Sequence, residues 1–180
     1  MQSKIKHKKG DATEPKEKGK VMLAHCVNDL GFGGAGVIVP IKNKYPIAYE
    51  EYVKWFKNGY FINNDLERIK AQLGEIQPVR INENFYICNI VGQRGVGKFR
   101  GMIPFRYQSF QEAMYKLDDY MVDNNFDVLV LPRIGCGLAG ADYLFVSAII
   151  NKTITIPVVV YDLPNENWPD TIYEEENESN

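Results

Sequence analysis

The sequence predicts an α/β protein, a three-layer α/β/α sandwich around a central mixed sheet, and three observations carry that expectation. Val21–Val27, Val128–Leu131 and Pro157–Tyr161 are nearly continuous in apolar character, which suits strands covered on both faces. Amphipathic segments alternate with them. The clearest is Arg106–Asn124, where Phe110, Ala113, Met114, Leu117 and Met121 recur at three- and four-residue steps. Ile76–Ile81 and Phe85–Val91 are separated only by Asn82–Glu83–Asn84. That is a hairpin signature, so the sheet is mixed and not purely parallel.

The other elements follow along the chain. Lys4–Lys9 is short, alternating and lysine-rich, an edge strand in which lysine discourages further pairing. Gly10–Asp11–Ala12–Thr13 turns the chain, and Pro15 stops a ladder from resuming. Asn28 and Asp29 terminate the strand that begins at Val21, and a helix-like segment then runs through Lys44. Pro46 opens another helix, with Tyr49, Tyr52, Val53 and Phe56 on one face. Gly59–Ile69 has weak periodicity and reads as a loop with one irregular helical turn. Gly92–Pro104, rich in Gly, Arg and Lys, reads as a mobile loop. Asp127–Leu131 is a strand, and Asp142–Ile150 is the last helix. Beyond Pro164 an acidic, Asn-rich stretch has little with which to build a core and is expected to fray. The expected organisation is one domain over residues 1–163 and a flexible tail over 164–180.

Composition excludes several function classes. A formal net charge of −2 gives no overall drive toward nucleic acid or acidic membrane. Lysines gather in residues 1–20 and acids beyond residue 164, a pattern that solvated ends explain. No apolar run approaches the roughly 20 residues needed to span a bilayer, and no secretory signal is read at the start. Cys26, Cys88 and Cys136 are odd in number and far apart, neither a zinc spacing nor a disulfide framework. Reduced thiols fit a cytoplasmic protein. No metal site and no cofactor are indicated.

Two glycine-rich turns concentrate the chemistry. GFGGAG (31–36) follows the Val21 strand, and IGCGLAG (134–140) follows the Val128 strand. Both lead into helices. Strand-to-helix loops of parallel strands share one rim of an α/β sheet, where ligands bind. Glycines there let backbone N–H groups converge on an anion such as a diphosphate. GFGGAG is close to, but not, GxGxxG, and neither loop contains GK[ST], which weakens the dinucleotide-fold and P-loop readings.

GDAT (10–13), LAHCVNDLGFGGAG (23–36), KYPIAYEEY (44–52), NIVGQ (89–93), LPRIGCGLAGADY (131–143) and VVVYDL (158–163) together resemble a macrodomain. The branch they resemble includes ADP-ribose 1''-phosphate phosphatases, and the likeness runs from about residue 4 to 163. It implies an ADP-ribose cleft. Asp11 would accept the adenine amine, with the Ala12 amide beside it. Asn28 would bond the distal ribose. Gly33, Gly34, Ala35 and Gly36 would wrap that ribose and one phosphate. Ile134, Gly135, Cys136, Gly137, Leu138, Ala139 and Gly140 would hold the diphosphate, and Leu163 would pack on adenine.

The implied activity is hydrolysis of ADP-ribose 1''-phosphate to ADP-ribose and phosphate, with His25 and Asp142 as the catalytic pair. His25 has an alternative as a hydrogen-bonded core histidine, since three strand residues, about 10 Å, separate it from Asn28. Asp142 has an alternative as a helix N-cap. The branch that removes ADP-ribose from acidic side chains uses a lysine and an aspartate; here those stretches read NIVGQ and GCGLA, with Ala139 where an acid would stand. Two other readings stay open: a reader or scavenger of ADP-ribose or a related nucleotide, and an ADP-ribosyl hydrolase acting on modified macromolecules. A nucleic-acid module built on the lysine-rich first strand is disfavoured by the near-neutral net charge.

Overall fold

The computed structural model describes residues 4–174. The chain runs β1 (Ile5–Lys9), β2 (Val21–Asn28), α1 (Ile38–Lys44), α2 (Pro46–Asn58), β3 (Tyr60–Ile62), β4 (Arg68–Lys70), β5 (Ile76–Arg80), β6 (Phe85–Gln93), α3 (Tyr107–Asp123), β7 (Val128–Pro132), α4 (Tyr143–Thr153) and β8 (Val158–Asp162). Six strands form the central sheet in the order β1-β8-β7-β2-β6-β5. Neighbours from β1 to β6 are parallel, and β5 alone runs antiparallel, against β6. The sheet is mixed for the reason the hairpin implied. Pro78 sits in β5, the outer strand, where a missing N–H breaks no inner ladder.

The apolar strands divide by alternation. Met22 and Ala24 of β2, Leu129 and Leu131 of β7, and Val158 and Val160 of β8 share one cluster with Phe110, Met114 and Leu117 of α3 and Val146 and Ile150 of α4. The alternate residues of these strands, Val21, Leu23, Val128, Val130 and Val159, join Ile41 of α1 and Ala48 of α2. Two helices therefore cover each face, giving the three layers. Burying each large side chain of this kind contributes about 1.5–3 kcal/mol. No helix among the described residues is long and apolar enough to cross a membrane.

Three stretches differ from expectation. Residues 59–70 hold the small antiparallel hairpin β3–β4 instead of a helical turn. Strands of three residues are too short to show a period. The turn is shaped by the Asn63 side chain, whose Oδ1 accepts from the Asp65 and Glu67 amides, and Trp55 Nε1 bonds the Ile69 carbonyl. Gly92–Pro104 folds back on itself, with antiparallel bridges Gln93–Phe105 and Phe99–Met102.

The third difference is the C-terminal segment. Residues 164–174 are docked; 175–180 lie outside the described residues. Tyr173 pairs with His7 on the free edge of β1, and the Glu174 amide donates to the His7 carbonyl at 2.8 Å. The anchor is a buried ion pair. Arg133, just after β7, donates to Asp162 at the end of β8 through Nε and Nη2, at 2.8 and 2.9 Å. Arg133 Nη2 also donates to Thr171 Oγ1, and Tyr173 Oη donates to Asp162 Oδ2. The Arg133 guanidinium lies between the rings of Tyr143 and Trp168, 4.1 and 4.3 Å from their centroids. Composition marked this tail as unable to build a core, but it needs none, because it completes a charge site made by β7 and β8.

Arg133→Met leaves the Asp162 carboxylate, which is fully buried, without its counter-ion. Urea denaturation at pH 7 is expected to show a loss of about 3–5 kcal/mol. A loss under about 1 kcal/mol, as for an exposed pair, would show that the pair does not anchor the segment.

Candidate ligand-binding cleft

Because β1, β8, β7, β2 and β6 are parallel, their C-terminal ends share one rim. Along that rim stand Asp11 and Ala12 after β1, Leu163 after β8, the 133–140 loop after β7, Asn28 and the 31–36 loop after β2, and Gln93 at the end of β6. They line a single cleft of about 740 Å³. The fold thus brings together Asp11, Ala12, Asn28, Gly33, Gly34, Ala35, Gly36, Ile134, Gly135, Gly137, Leu138, Ala139 and Leu163.

The two glycine loops present unused donors. In the later loop the amides of Ile134, Cys136, Gly140 and Ala141 bond carbonyls of residues 132–137 and fix its shape. Among the described residues the amides of Gly135, Gly137, Leu138 and Ala139 meet no protein acceptor, and neither do those of Gly33, Gly34, Ala35 and Gly36. Two sets of N–H groups without protein acceptors thus belong to residues that line one cleft, an arrangement chemically suited to an anion. Gly135 is required by geometry. Its φ is +75°, and an added Cβ would overlap the Phe105 ring. At Gly34 and Gly137 an added Cβ would meet nothing within 4 Å, so these two are free for ligand approach and not for packing.

Asp11 and Asn28 are both held by protein partners. Asp11 Oδ1 accepts from the Thr13 amide and hydroxyl at 2.8 and 2.7 Å, and Oδ2 accepts from Lys44 Nζ at 2.8 Å. Burial is the largest influence on its carboxyl and pushes the pKa up. The Lys44 and Thr13 hydrogen bonds outweigh it and hold the group below its ordinary value. Asn28 Oδ1 accepts from the Leu30 amide and the Tyr52 hydroxyl, while Nδ2 donates to the Phe32 carbonyl. One Nδ2 hydrogen is left for a ligand. Asn28 stands beside Gln93 in the β2–β6 register, at an irregularity after Val27, so two amide residues line that end of the cleft.

The catalytic pair is not at the cleft, which corrects the sequence expectation. His25 is 1% exposed, and its Nε2 lies 2.7 Å from Asn89 Oδ1. Asn89 Nδ2 donates to Gln77 Oε1 and to the Ala48 carbonyl, and Gln77 Nε2 donates to the Glu51 carbonyl. His25, Asn89 and Gln77 are register partners across β2, β6 and β5; they tie the sheet to α2 beneath the cleft. Side chains alternate along β2, and at position 25 the side chain points to the α2 face, not to the rim. Burial, partly offset by the Asn89 hydrogen bond, lowers the His25 pKa to about 4, so the ring is neutral near pH 7. Asp142 is the N-cap of α4: its Oδ1 accepts from the Leu144 amide at 2.9 Å. It is not a lining residue.

Two expected binding residues also stand behind the lining. Cys136 packs against the core, and burial, the largest influence, pushes its thiol up to about 11, which removes it as a nucleophile at neutral pH. Gly140 closes the loop through its amide to Gly137. The sequence reading missed Phe32, Val96, Gly97, Arg133, Glu166 and Trp168, which line the cleft. Gln93 stood within a quoted motif without an assigned role. Nothing local marked Trp168, because its position depends on Arg133.

No family model matches the chain. It is 32% identical to a solved macrodomain protein from Streptomyces coelicolor, covering 88% of this chain and 98% of that one, with a TM-score of 0.72. Among curated relatives, human ADP-ribose glycohydrolase OARD1 is 27% identical over 165 residues, 89% of this chain and 93% of that protein. An ADP-ribose 1''-phosphate phosphatase from Lodderomyces elongisporus is 23% identical over 169 residues, 87% of this chain and 97% of that protein. Fold, cleft and likeness agree: the chain belongs to the macrodomain family.

Two stability measurements check this geometry. Between pH 6.5 and about 4 the unfolded chain holds a proton on His25 that the folded protein does not. The histidine's stabilising effect is complete above pH 6.5 and is lost as the pH falls toward 4. From pH 7 to pH 5 the native protein is expected to lose about 2 kcal/mol more than His25→Gln; equal losses would refute the core assignment. Gly135→Ala is expected to cost about 2–4 kcal/mol through the Phe105 overlap and the positive φ. Gly137→Ala, with open space around it, should leave the melting temperature unchanged.

Proposed function

We propose that the protein binds ADP-ribose in this cleft and hydrolyses ADP-ribose 1''-phosphate to ADP-ribose and phosphate. The observation that carries the reading is the pair of unsatisfied amide sets on one rim, with an acceptor-only carboxylate, Asp11, at one end. Diphosphate fits between the loops. Adenine then lies toward Asp11, Ala12 and Leu163, and the distal ribose toward Asn28 and Gly33–Gly36. The names of the curated relatives, an ADP-ribose glycohydrolase and ADP-ribose 1''-phosphate phosphatases, support the same ligand.

In the proposed reaction a water oxygen bonds to phosphorus and the bond from phosphorus to the C1'' oxygen breaks. The leaving oxygen takes a proton, and inorganic phosphate departs. With His25 in the core and Asp142 capping α4, no histidine–carboxylate pair serves this step. Rate enhancement comes from positioning and from fixed N–H dipoles aimed at the phosphoryl oxygens. Asn28 and Gln93, adjacent in register, are suited to orient the ribose and the attacking water, since an amide both donates and accepts.

A second reading, release of ADP-ribose from a modified macromolecule, is favoured by the far end of the cleft. Phe32, Val96 and Leu138 line it and are exposed, so a bulky substituent on the distal ribose has room.

Titration calorimetry with ADP-ribose is expected to show binding that Gly34→Ala and Gly137→Ala weaken about tenfold without loss of fold. Absence of binding at millimolar ligand refutes the reading. Phosphate release from ADP-ribose 1''-phosphate should fall about tenfold or more in Asn28→Ala and Gln93→Ala, and Asp142→Ala should retain it. Full turnover in the first two, or its abolition in the third with binding intact, overturns the assignment of roles.

A further inference from the structure

We propose that the outer edge of β4 is a docking strand for an extended acidic peptide, whose carboxylates, two residues apart, meet Arg68 and Lys70. The site is separate from the rim cleft and independent of what binds there. Beside it lies a second depression of about 320 Å³, lined by Gly59, Tyr60, Arg68 and Lys70 among others. None of its lining residues lines the cleft.

The backbone supplies the edge. β3 and β4 form a two-stranded hairpin outside the central sheet, and among the described residues no third strand pairs with β4. Register decides which way its polar groups point. The Asn63 amide donates to the Glu67 carbonyl and the Ala71 amide to the Gly59 carbonyl, and Phe61 lies opposite Ile69 between them. Hydrogen-bonded pairs alternate in an antiparallel ladder. The N–H and C=O groups of Arg68 and Lys70 therefore point away from β3, and among the described residues they meet no donor or acceptor. Such an edge is a template for an added strand. It is also firmly seated: Phe61 and Ile69 pack on the cluster of Val27, Tyr52 and Trp55, and the Trp55 indole donates to the Ile69 carbonyl.

The side chains select the partner. Arg68 and Lys70 are exposed and share one face of β4, roughly 6.6 Å apart at the usual strand rise. Acidic residues two apart in an added strand repeat at the same interval. Lys44 pairs with Asp11 and Glu14, Lys54 with Glu51 and Lys116 with Glu75, whereas Arg68 and Lys70 pair with no carboxylate among the described residues. Glu67, the adjacent acid, is held in the turn by Asn63 Nδ2 at 3.0 Å. The Arg68 guanidinium lies instead over the Tyr60 ring, 3.6 Å from its centroid, which holds the cation in place and leaves its N–H groups for a carboxylate. Cations at an edge oppose pairing with apolar or basic strands, so the two side chains that guard this edge also choose an acidic one.

Titration of the isotope-labelled native protein with acetyl-Glu-Val-Glu-Val-Glu-amide, followed by amide NMR, is expected to shift signals of residues 58–72 and not those of the 133–140 loop. Arg68→Gln with Lys70→Gln should weaken this peptide about tenfold. Arg68→Glu with Lys70→Glu should take acetyl-Lys-Val-Lys-Val-Lys-amide in its place, and the same spectra report that each variant is folded. Methylating the peptide's backbone nitrogens should abolish binding, because it removes the main-chain donors; undiminished affinity overturns strand addition. Shifts confined to the cleft, or none at millimolar peptide, overturn the site. Shifts at residues 58–72 with single-stranded oligothymidylate and not with the peptide overturn its assignment to a peptide.

Discussion

The buried pair of Arg133 and Asp162 is the constraint on which the ligand-facing half of the molecule depends. Taking two charges out of water is costly, and their attraction offsets that cost only when the remaining donors and acceptors are met. Here they are. The guanidinium meets both carboxylate oxygens, Thr171 and Tyr173 complete the hydrogen bonding, and Tyr143 and Trp168 cover the planar faces. Five elements meet at this point: the ends of β7 and β8, the start of α4, β1 through Tyr173, and the segment after β8. The glycine loop 133–140 starts at Arg133, so the pair fixes one end of the loop that carries the free amides.

A second polar device works beneath the other half of the cleft. His25, Asn89 and Gln77 form a row across three strands and reach two carbonyls of α2. Buried polar groups of this kind stabilise a fold through their pairing, which links β5, β6 and β2 in register, while His25 Nδ1 is left buried without a partner. A one-residue shift after Val27 then brings Asn28 opposite Gln93. The residue that looked catalytic is thus a core residue that pairs strands, not a group at the rim.

How much was legible follows from how local each signal is. The long helix α3 and the inner strands were readable because their periods repeat over many residues. The glycine loops were readable because a sharp turn after a buried strand demands residues without a side chain. The β3–β4 hairpin was not, since three-residue strands show no period and Asn63 organises the turn through its own side chain. The tail was misread for a different reason. Its composition is that of a solvated segment, and its order comes from Arg133, Asp162 and the open edge of β1, all distant in sequence.

By itself the sequence determined the three-layer architecture, the two glycine-rich turns and the family resemblance, because each rests on patterns spanning neighbouring residues. The tertiary structure alone decided which polar residues reach the cleft. Along β2, a displacement of three positions separates Asn28, on the rim, from His25, in the core, and only the packing of α2 against the sheet assigns those places. The same holds for Trp168, which becomes part of the cleft because an arginine thirty-five positions earlier offers it a planar cation to lie on.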